Sequence, residues 1–162
     1  MSATSGMLAG MSADSSGGGE SVFRLIYVSR ESSPMSRSEL DGLLCQARSH
    51  NRRAGITGLL VHKAGHFLQV LEGERDDVEA LMVRIQNDLR HREVTVLMRD
   101  EPVERHFGEW AMALADWPDE DAKTSAAWFD VLETFRAGGG HFSPGGCLLS
   151  FVTSLAHDRY LH

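Results

Sequence analysis

The chain is poor in cysteine, in basic charge and in long apolar segments. Its 162 residues contain two cysteines, Cys45 and Cys147, too few for a disulfide framework, so we expect a reduced protein of the cytoplasm. The formal net charge of −7 argues against direct nucleic-acid binding, which needs clustered Lys and Arg. No apolar run approaches the ~20 residues of a membrane span, and residues 1–21 lack the pattern of a signal peptide.

Common catalytic and metal-binding patterns are also missing from the sequence. No Ser-His-Asp or paired-carboxylate arrangement stands out, so we expect a protein that is not an enzyme. His62 and His66 flank a predicted hairpin turn, but without a third ligand we interpret them as a surface pair rather than a metal site. The glycines at 17–19 do not follow a strand pattern, which argues against a phosphate-binding turn.

Composition divides the chain into three predicted parts. Residues 1–21 are rich in Ser, Gly and Ala and are interpreted as a flexible tail, either an upstream start or a cloning remnant. Residues 22–117 alternate strand and helix patterns and suit a single domain. Residues 118–162 carry apolar residues at helical spacing on both sides of a glycine triplet, which predicts a helical C-terminal extension.

The apolar periodicity of the central part predicts five strands and two helices. In chain order these are strand 22–29, helix 36–51, strand 55–62, strand 66–72, helix 76–90, strand 93–99 and strand 106–114. This order indicates an α+β fold with a ferredoxin-like βαββαβ core, a fifth strand and both helices on one sheet face. The other face then needs a cover, which either the C-terminal helices or the second subunit of a homo-oligomer could provide.

Each predicted helix has an apolar stripe. The first begins with a capping box, Ser36 as N-cap and Glu39 at N3, and its stripe ends in His50 and Asn51. Either these two side chains form an ordinary polar C-terminus, with Asn51 as a left-handed cap, or they line a ligand slot. The stripe of the second helix consists of Val78, Leu81, Met82, Ile85 and Leu89. The densest arginine group, interpreted as a solvated helix end, is Arg48, Arg52 and Arg53.

Two polar side chains are predicted to be buried in strands. Alternation places Gln69 between Phe67 and Leu71 on one face, and Tyr27 on the mostly apolar first strand. A buried amide or phenol without a partner costs about 1–3 kcal/mol. Tyr27 and Gln69 therefore either bond to each other or bind a ligand.

The chain resembles the BLUF domain, the blue-light sensor using FAD, in six segments that follow the family's order and spacing. The segments are 24–29 (RLIYVS), 47–51 (ARSHN), 55–60 (GITGLL), 67–73 (FLQVLEG), 88–91 (DLRH) and 107–112 (FGEWAM). The resemblance spans about Phe23 to Trp117 and implies a short stand-alone sensor, since no cyclase or phosphodiesterase motif follows.

The resemblance implies that FAD binds non-covalently between the two helices. Its contacts would come from Tyr27, His50, Asn51, Phe67, Gln69, Arg90 and His91. Asn51 can hold N3 and O4 of the flavin ring, and Gln69 can bridge the N5/O4 edge to Tyr27. His50 replaces the commoner second asparagine of this motif and can still donate to the flavin. For Arg90 and His91, surface solvation is the alternative.

The resemblance also implies a photochemical route. Blue light drives electron and proton transfer from Tyr27, the hydrogen bonds of Gln69 rearrange, and the flavin spectrum shifts to the red. Trp110 and Met112, expected on one face of the last strand, then either relay the signal or serve as plain core. We expect the C-terminal helices to pass the signal to a downstream partner protein.

Two other functions compete with this interpretation. A ferredoxin-like hydrolase would need a glycine-rich, anion-binding loop after the first strand, where residues 30–34 (RESSP) contain an acid and no glycine. A flavin-free adaptor would use the same fold to bind partners. A yellow purified protein would argue against both.

Overall fold

The computed structural model describes residues 21–108 and 110–116. Its elements are β1 (Phe23–Glu31), α1 (Arg37–Ala54), β2 (Thr57–Lys63), β3 (His66–Gly73), α2 (Arg75–Gln86), β4 (His91–Asp100) and β5 (Ala113–Asp116). The strands form one sheet in the order β4-β1-β3-β2-β5. Strand pairs are antiparallel except β2 with β5, which are parallel. The predicted α+β, ferredoxin-like fold with a fifth strand is confirmed.

Both faces of the sheet are packed, as the apolar pattern of β1 predicts. On one face, Leu40 and Leu44 of α1 and Val78 and Met82 of α2 join the inward residues of the strands in one cluster. On the other face, a second cluster contains Ile26, Val28, Leu59, Val61, Leu68, Val70, Phe107 and Ala113. Both helices thus lie on one face, and their buried stripes hold them there.

Helix α1 starts as predicted and ends later than predicted. Ser36 and Glu39 form the capping box, with the Ser36 hydroxyl 3.3 Å from Glu39 N and the Glu39 carboxylate 2.7 Å from Ser36 N. The bonds that the Ser36 N–H and the Ser36 hydroxyl donate to the Glu39 carboxylate hold the pKa of Glu39 below its usual range. The helix continues to Ala54, and Gly55 provides the left-handed cap at φ 63°. Asn51 is therefore inside the helix, and its predicted alternative role as the cap is wrong.

Helix α2 ends at Gln86, four residues before the predicted end. The Asn87 side chain donates to Val83 O at 2.8 Å and so satisfies one of the last carbonyls of the helix. The chain then turns toward β4, with His91 N donating to Asp88 O at 3.0 Å. Leu89 lies in that turn and is 90% exposed, so its assignment to the buried stripe was wrong.

The fifth strand begins at residue 113 rather than at 106. The preceding residues are held by side chains in an irregular path, because Glu72, fully buried, accepts a bond from Phe107 N at 3.0 Å. Arg105 Nη1 donates to Gly55 O at 2.6 Å. A turn bond of 3.0 Å then joins Trp110 N to Phe107 O. These contacts replace the ladder that a longer strand would form.

Trp110 and Met112 do not share a strand face, contrary to the sequence prediction. Both precede β5, and the irregular backbone sends their side chains to opposite sides of the sheet. Met112 packs in the cluster beneath the helices, and Trp110 packs against the other cluster. The short segment 110–112 therefore contacts both clusters.

Three predictions concern parts of the chain outside the described residues: the N-terminal tail, the C-terminal extension and the cover that its helices provide for the second sheet face. Within the described ranges, no helix is long and apolar enough to span a membrane.

Candidate functional site

A cavity of about 320 Å³ lies between α1, α2 and the sheet. Its apolar walls come from Leu43, Ala47, Leu60, Leu81 and Ile85. Its polar lining comprises Tyr27, Gln46, His50, Asn51, Gln69, Arg84, Asp88, Arg90 and His91. Six of the seven residues predicted to bind a cofactor therefore lie on one cavity. Phe67 is fully buried and is not among the lining residues, so its contact with a cofactor stays a prediction.

Tyr27 and Gln69 form a buried hydrogen-bonded pair on the cavity wall. They face each other in the β1–β3 register, and the Tyr27 hydroxyl donates to Gln69 Oε1. Burial raises the pKa of Tyr27 far above its ordinary value, and the negative charge of Asp88 raises it further. The first alternative left open by the sequence is confirmed, because the two residues bond to each other. Both also line the cavity, so their binding of a ligand stays a prediction.

The other end of the Gln69 amide contacts Met112. Gln69 Nε2 donates to Met112 Sδ at 3.3 Å, and both side chains are buried. The amide is therefore fixed at both ends, with oxygen toward Tyr27 and nitrogen toward the thioether. Strand alternation predicted the burial of Gln69 but could not predict Met112 as its partner, since the two residues meet through the irregular segment before β5.

Asn51 lines the cavity and has an unpaired acceptor. Its Nδ2 donates to Ala111 O at 2.8 Å, while its Oδ1 is buried without a partner among the described residues. An unsatisfied buried carbonyl costs about 1–3 kcal/mol. A ligand with an N–H donor in the cavity would satisfy this oxygen.

His50 and Arg84 bring α1 and α2 together beside the cavity. Arg84 Nη1 lies 3.3 Å from His50 Nδ1. His50 was predicted from the α1 stripe, whereas Arg84 was missed. Its position three residues after Leu81 on the same helix face could have indicated it.

Arg90 is held by two neighbours on the cavity lining. Its Nε donates to Asp88 Oδ1 at 3.0 Å, and its Nη1 donates to Gln46 Oε1 at 3.0 Å. The bonds from Arg90 hold the pKa of Asp88 below its usual range and raise the pKa of Arg90. The sequence motif included Asp88 without assigning it a role, and Gln46 was missed.

His91 is anchored from within the sheet. Its Nδ1 lies 2.9 Å from Ser29 Oγ, and its ring packs on Phe67 with centroids 4.8 Å apart. Burial lowers the pKa of His91, Asp88 partly opposes that shift, and Arg90 adds to it. Burial thus favours the neutral form of His91 on the cavity wall, and Phe67 packs against its ring.

The hairpin histidines have partners of their own. His62 Nε2 lies 3.2 Å from Glu31 Oε2, and His66 Nδ1 lies 2.8 Å from Ala64 O. Within 21–108 and 110–116, no three His, Cys, Asp or Glu residues are grouped so that they could hold a metal ion.

The chemistry of the cavity fits the ring system of a flavin. Apolar side chains of both helices offer the walls that a flat aromatic ring needs. The unpaired Asn51 Oδ1 is a possible acceptor for a ring N–H. Each amide of Asn51 and Gln69 also has a second N–H, besides the one that donates to Ala111 O or Met112 Sδ, as a possible donor to ring carbonyl and nitrogen acceptors. Tyr27, directly behind Gln69, has an oxidisable phenol.

Comparison with known proteins identifies the family of the chain. A family model described as "Sensors of blue-light using FAD" matches residues 22–113. The photoactivated adenylate cyclase subunit beta of Euglena gracilis is 38% identical over 109 residues, which cover 67% of this chain and 13% of that protein. The subunit alpha of the same organism is 35% identical over 92 residues, covering 57% of this chain and 9% of that protein. The chain thus spans a small part of these cyclases.

Solved structures show the same similarity. The photo-activated state of BlsA has a TM-score of 0.69 at 26% identity, covering 87% of this chain and 99% of the BlsA chain. BlrB, a BLUF protein in its dark state, has a TM-score of 0.61 at 26% identity, covering 72% of this chain and 86% of the BlrB chain. Since the family model matches more than half of the chain, this protein belongs to the BLUF family of blue-light sensors, whose cofactor is FAD.

Proposed function

We propose that this chain is a blue-light photoreceptor in which Tyr27 gives up an electron and its phenolic proton, and Gln69 changes its hydrogen bonds in response. When bound, FAD supplies the absorption of blue light and the electron acceptor. The observation that carries the proposal is the direct hydrogen bond from the Tyr27 hydroxyl to Gln69 Oε1 on the cavity wall. Asn51, His50, Arg90 and His91 are proposed to hold and orient the cofactor.

The protonation of Tyr27 suits a light-driven donor. Its pKa is raised by burial, so the phenol keeps its proton in the dark at any physiological pH. Loss of an electron makes a phenol strongly acidic, and the bond to Gln69 Oε1 gives the proton a path. Once Oε1 carries that proton it becomes a donor, and the hydrogen bonds of the amide must rearrange.

The output is proposed to start at Met112. Because Gln69 Nε2 bonds to its sulfur, a rearranged amide changes that contact. Met112 lies two residues from Trp110, which packs on the opposite sheet face. From there the signal is proposed to pass through β5 and residues 118–162 to a partner protein.

The test compares light-minus-dark absorption spectra of the FAD-loaded protein and three variants. The wild type is expected to give a red-shifted lit state. Tyr27→Phe and Gln69→Leu are expected to bind FAD and to lose the shift, because the proton donor or its acceptor is gone. Tyr160→Phe removes the other tyrosine of the chain and should behave as wild type. A normal red shift in Tyr27→Phe or Gln69→Leu would contradict the proposed roles.

A further inference from the structure

The backbone just before β5 depends on α1 for its hydrogen bonds. Pairing of β2 with β5 begins at Leu59 and Ala113, and Gly58 N donates to Trp110 O at 3.0 Å. The next two carbonyls receive side chains of α1 instead. Asn51 Nδ2 donates to Ala111 O at 2.8 Å, and Arg48 Nε donates to Met112 O at 2.9 Å. Buried carbonyls need such partners where no ladder reaches them.

Arg48 therefore differs from the other arginines at the end of α1. Arg52 and Arg53 are exposed, as the interpretation of a solvated helix end predicts, whereas Arg48 is half-buried and contacts the segment before β5. A charged donor on a neutral carbonyl makes one of the stronger protein hydrogen bonds. This bond fixes the backbone of Met112.

The position of the Met112 backbone matters because the methionine side chain is flexible. An unbranched thioether with three rotatable bonds adapts to the space available, so its place beside Gln69 requires an anchored Cα. Met112 is 2% exposed, with its sulfur 3.3 Å from Gln69 Nε2.

The sulfur distinguishes the two ends of the Gln69 amide. A thioether can accept a hydrogen bond but cannot donate one. It therefore favours the orientation in which Nε2 faces Met112 and Oε1 faces Tyr27, which is the orientation observed. The opposite orientation would place two acceptors, Oε1 and Sδ, against each other.

We propose that Arg48 is a positioning residue for the photochemistry of Gln69. By holding the carbonyl of Met112, it keeps the thioether against Nε2 and favours the dark hydrogen-bond pattern, so it speeds the return to the dark state after illumination. This inference rests on the proposed function, because it needs a light-driven change at Gln69.

The experiment measures dark recovery of the FAD-loaded protein after a light pulse. Arg48→Ala is expected to recover about fivefold more slowly than wild type. This is the rate change that corresponds to losing the net free energy of one hydrogen bond. Arg52→Ala is the matched control, since it removes the same charge from the same helix and should recover at the wild-type rate. Arg48→Lys keeps a donor that can reach the carbonyl and should also recover at the wild-type rate.

A second background tests the route through Met112. Met112→Leu removes the sulfur, so adding Arg48→Ala to it should cause no further slowing. Equal dark-recovery rates of wild type and Arg48→Ala would overturn the inference. It would also be overturned if Arg48→Ala slowed recovery equally in wild type and in Met112→Leu. If Arg48→Ala fails to fold, the recovery rate of Arg48→Lys serves as the test. Recovery of Arg48→Lys that is severalfold slower than that of wild type would overturn the inference. Absence of any red shift in the wild type would instead refute the proposed function.

Discussion

His91 is a half-buried histidine whose neutral form the cavity favours. Burial lowers its pKa below the ordinary value of 6.5, so below that pH the unfolded chain binds more protons than the folded one. Stability should then fall as the pH drops from about 6.5. We predict that His91→Gln, which keeps a hydrogen-bonding group near Ser29, lowers this acid sensitivity.

The measurement is urea unfolding of both proteins at pH 7.5 and pH 5.5. The loss of free energy of unfolding between the two pH values should be smaller in His91→Gln than in wild type. Equal losses would show that the protonation of His91 is not coupled to folding.

At the scale of single residues, the sequence predicts the placement of those side chains whose positions are set by a regular strand or helix. Tyr27 and Gln69 follow from strand alternation, and Asn51 from the helical stripe of α1. The contacts of Met112 with Gln69 and of Arg48 with Met112 O could not be predicted. These contacts join elements that are far apart in the sequence, and they involve an irregular backbone segment that has no helical or strand periodicity. No local sequence pattern therefore indicates them.

Two glycines in different elements should respond to alanine in opposite ways. In β2, a Cβ on Gly58 would lie 1.9 Å from Val70 O, and a backbone carbonyl of the neighbouring strand cannot move aside. We predict that Gly58→Ala lowers the free energy of unfolding by at least about 2 kcal/mol. In α1, a Cβ on Gly42 would meet nothing within 4 Å. Gly42→Ala should therefore raise the free energy of unfolding by about 1 kcal/mol.

Urea unfolding of wild type and the two variants measures whether each substitution lowers or raises the free energy of unfolding. A Gly58→Ala protein as stable as wild type would contradict the close approach of β2 and β3. A destabilised Gly42→Ala protein would contradict the open surroundings of that helix face.

Elements with strong local patterns were predicted well. β1, β2, β3 and α1 lie within three residues of their predicted bounds, because capping, alternation and stripes determine them. The end of α2 was misplaced because Leu89 has helical spacing yet lies in the turn after Asn87. The start of β5 was misplaced because side chains such as Glu72 fix the path before it.

Binding of FAD should stabilise the whole domain. In the proposed mode of binding, the ligand would satisfy the buried Asn51 Oδ1 and fill the cavity between both helices and the sheet. A ligand that binds the folded state alone adds about 2.7 kcal/mol at 100 times its Kd. We therefore predict a higher Tm for the apoprotein in excess FAD, and no rise in excess AMP, which lacks the flavin ring.

Thermal unfolding with each ligand tests this prediction, and acid treatment of the FAD complex tests its non-covalent nature. The flavin should be released from the chain. An equal rise in Tm with AMP, or flavin that stays attached after acid, would contradict the proposed mode of binding.

The short pairing of β5 has a consequence for how the domain opens. Among the described residues, four register pairs join β5 to β2, against eight between β1 and β3. We expect a segment with so few strand pairs to open at a free energy below that of global unfolding. Because β1, β3 and β2 pair without it, we expect β5 to detach as a separate cooperative unit while the central sheet stays closed. The proposed change at Met112 would then need to supply only the energy of that local opening, less than the energy that unfolds the domain.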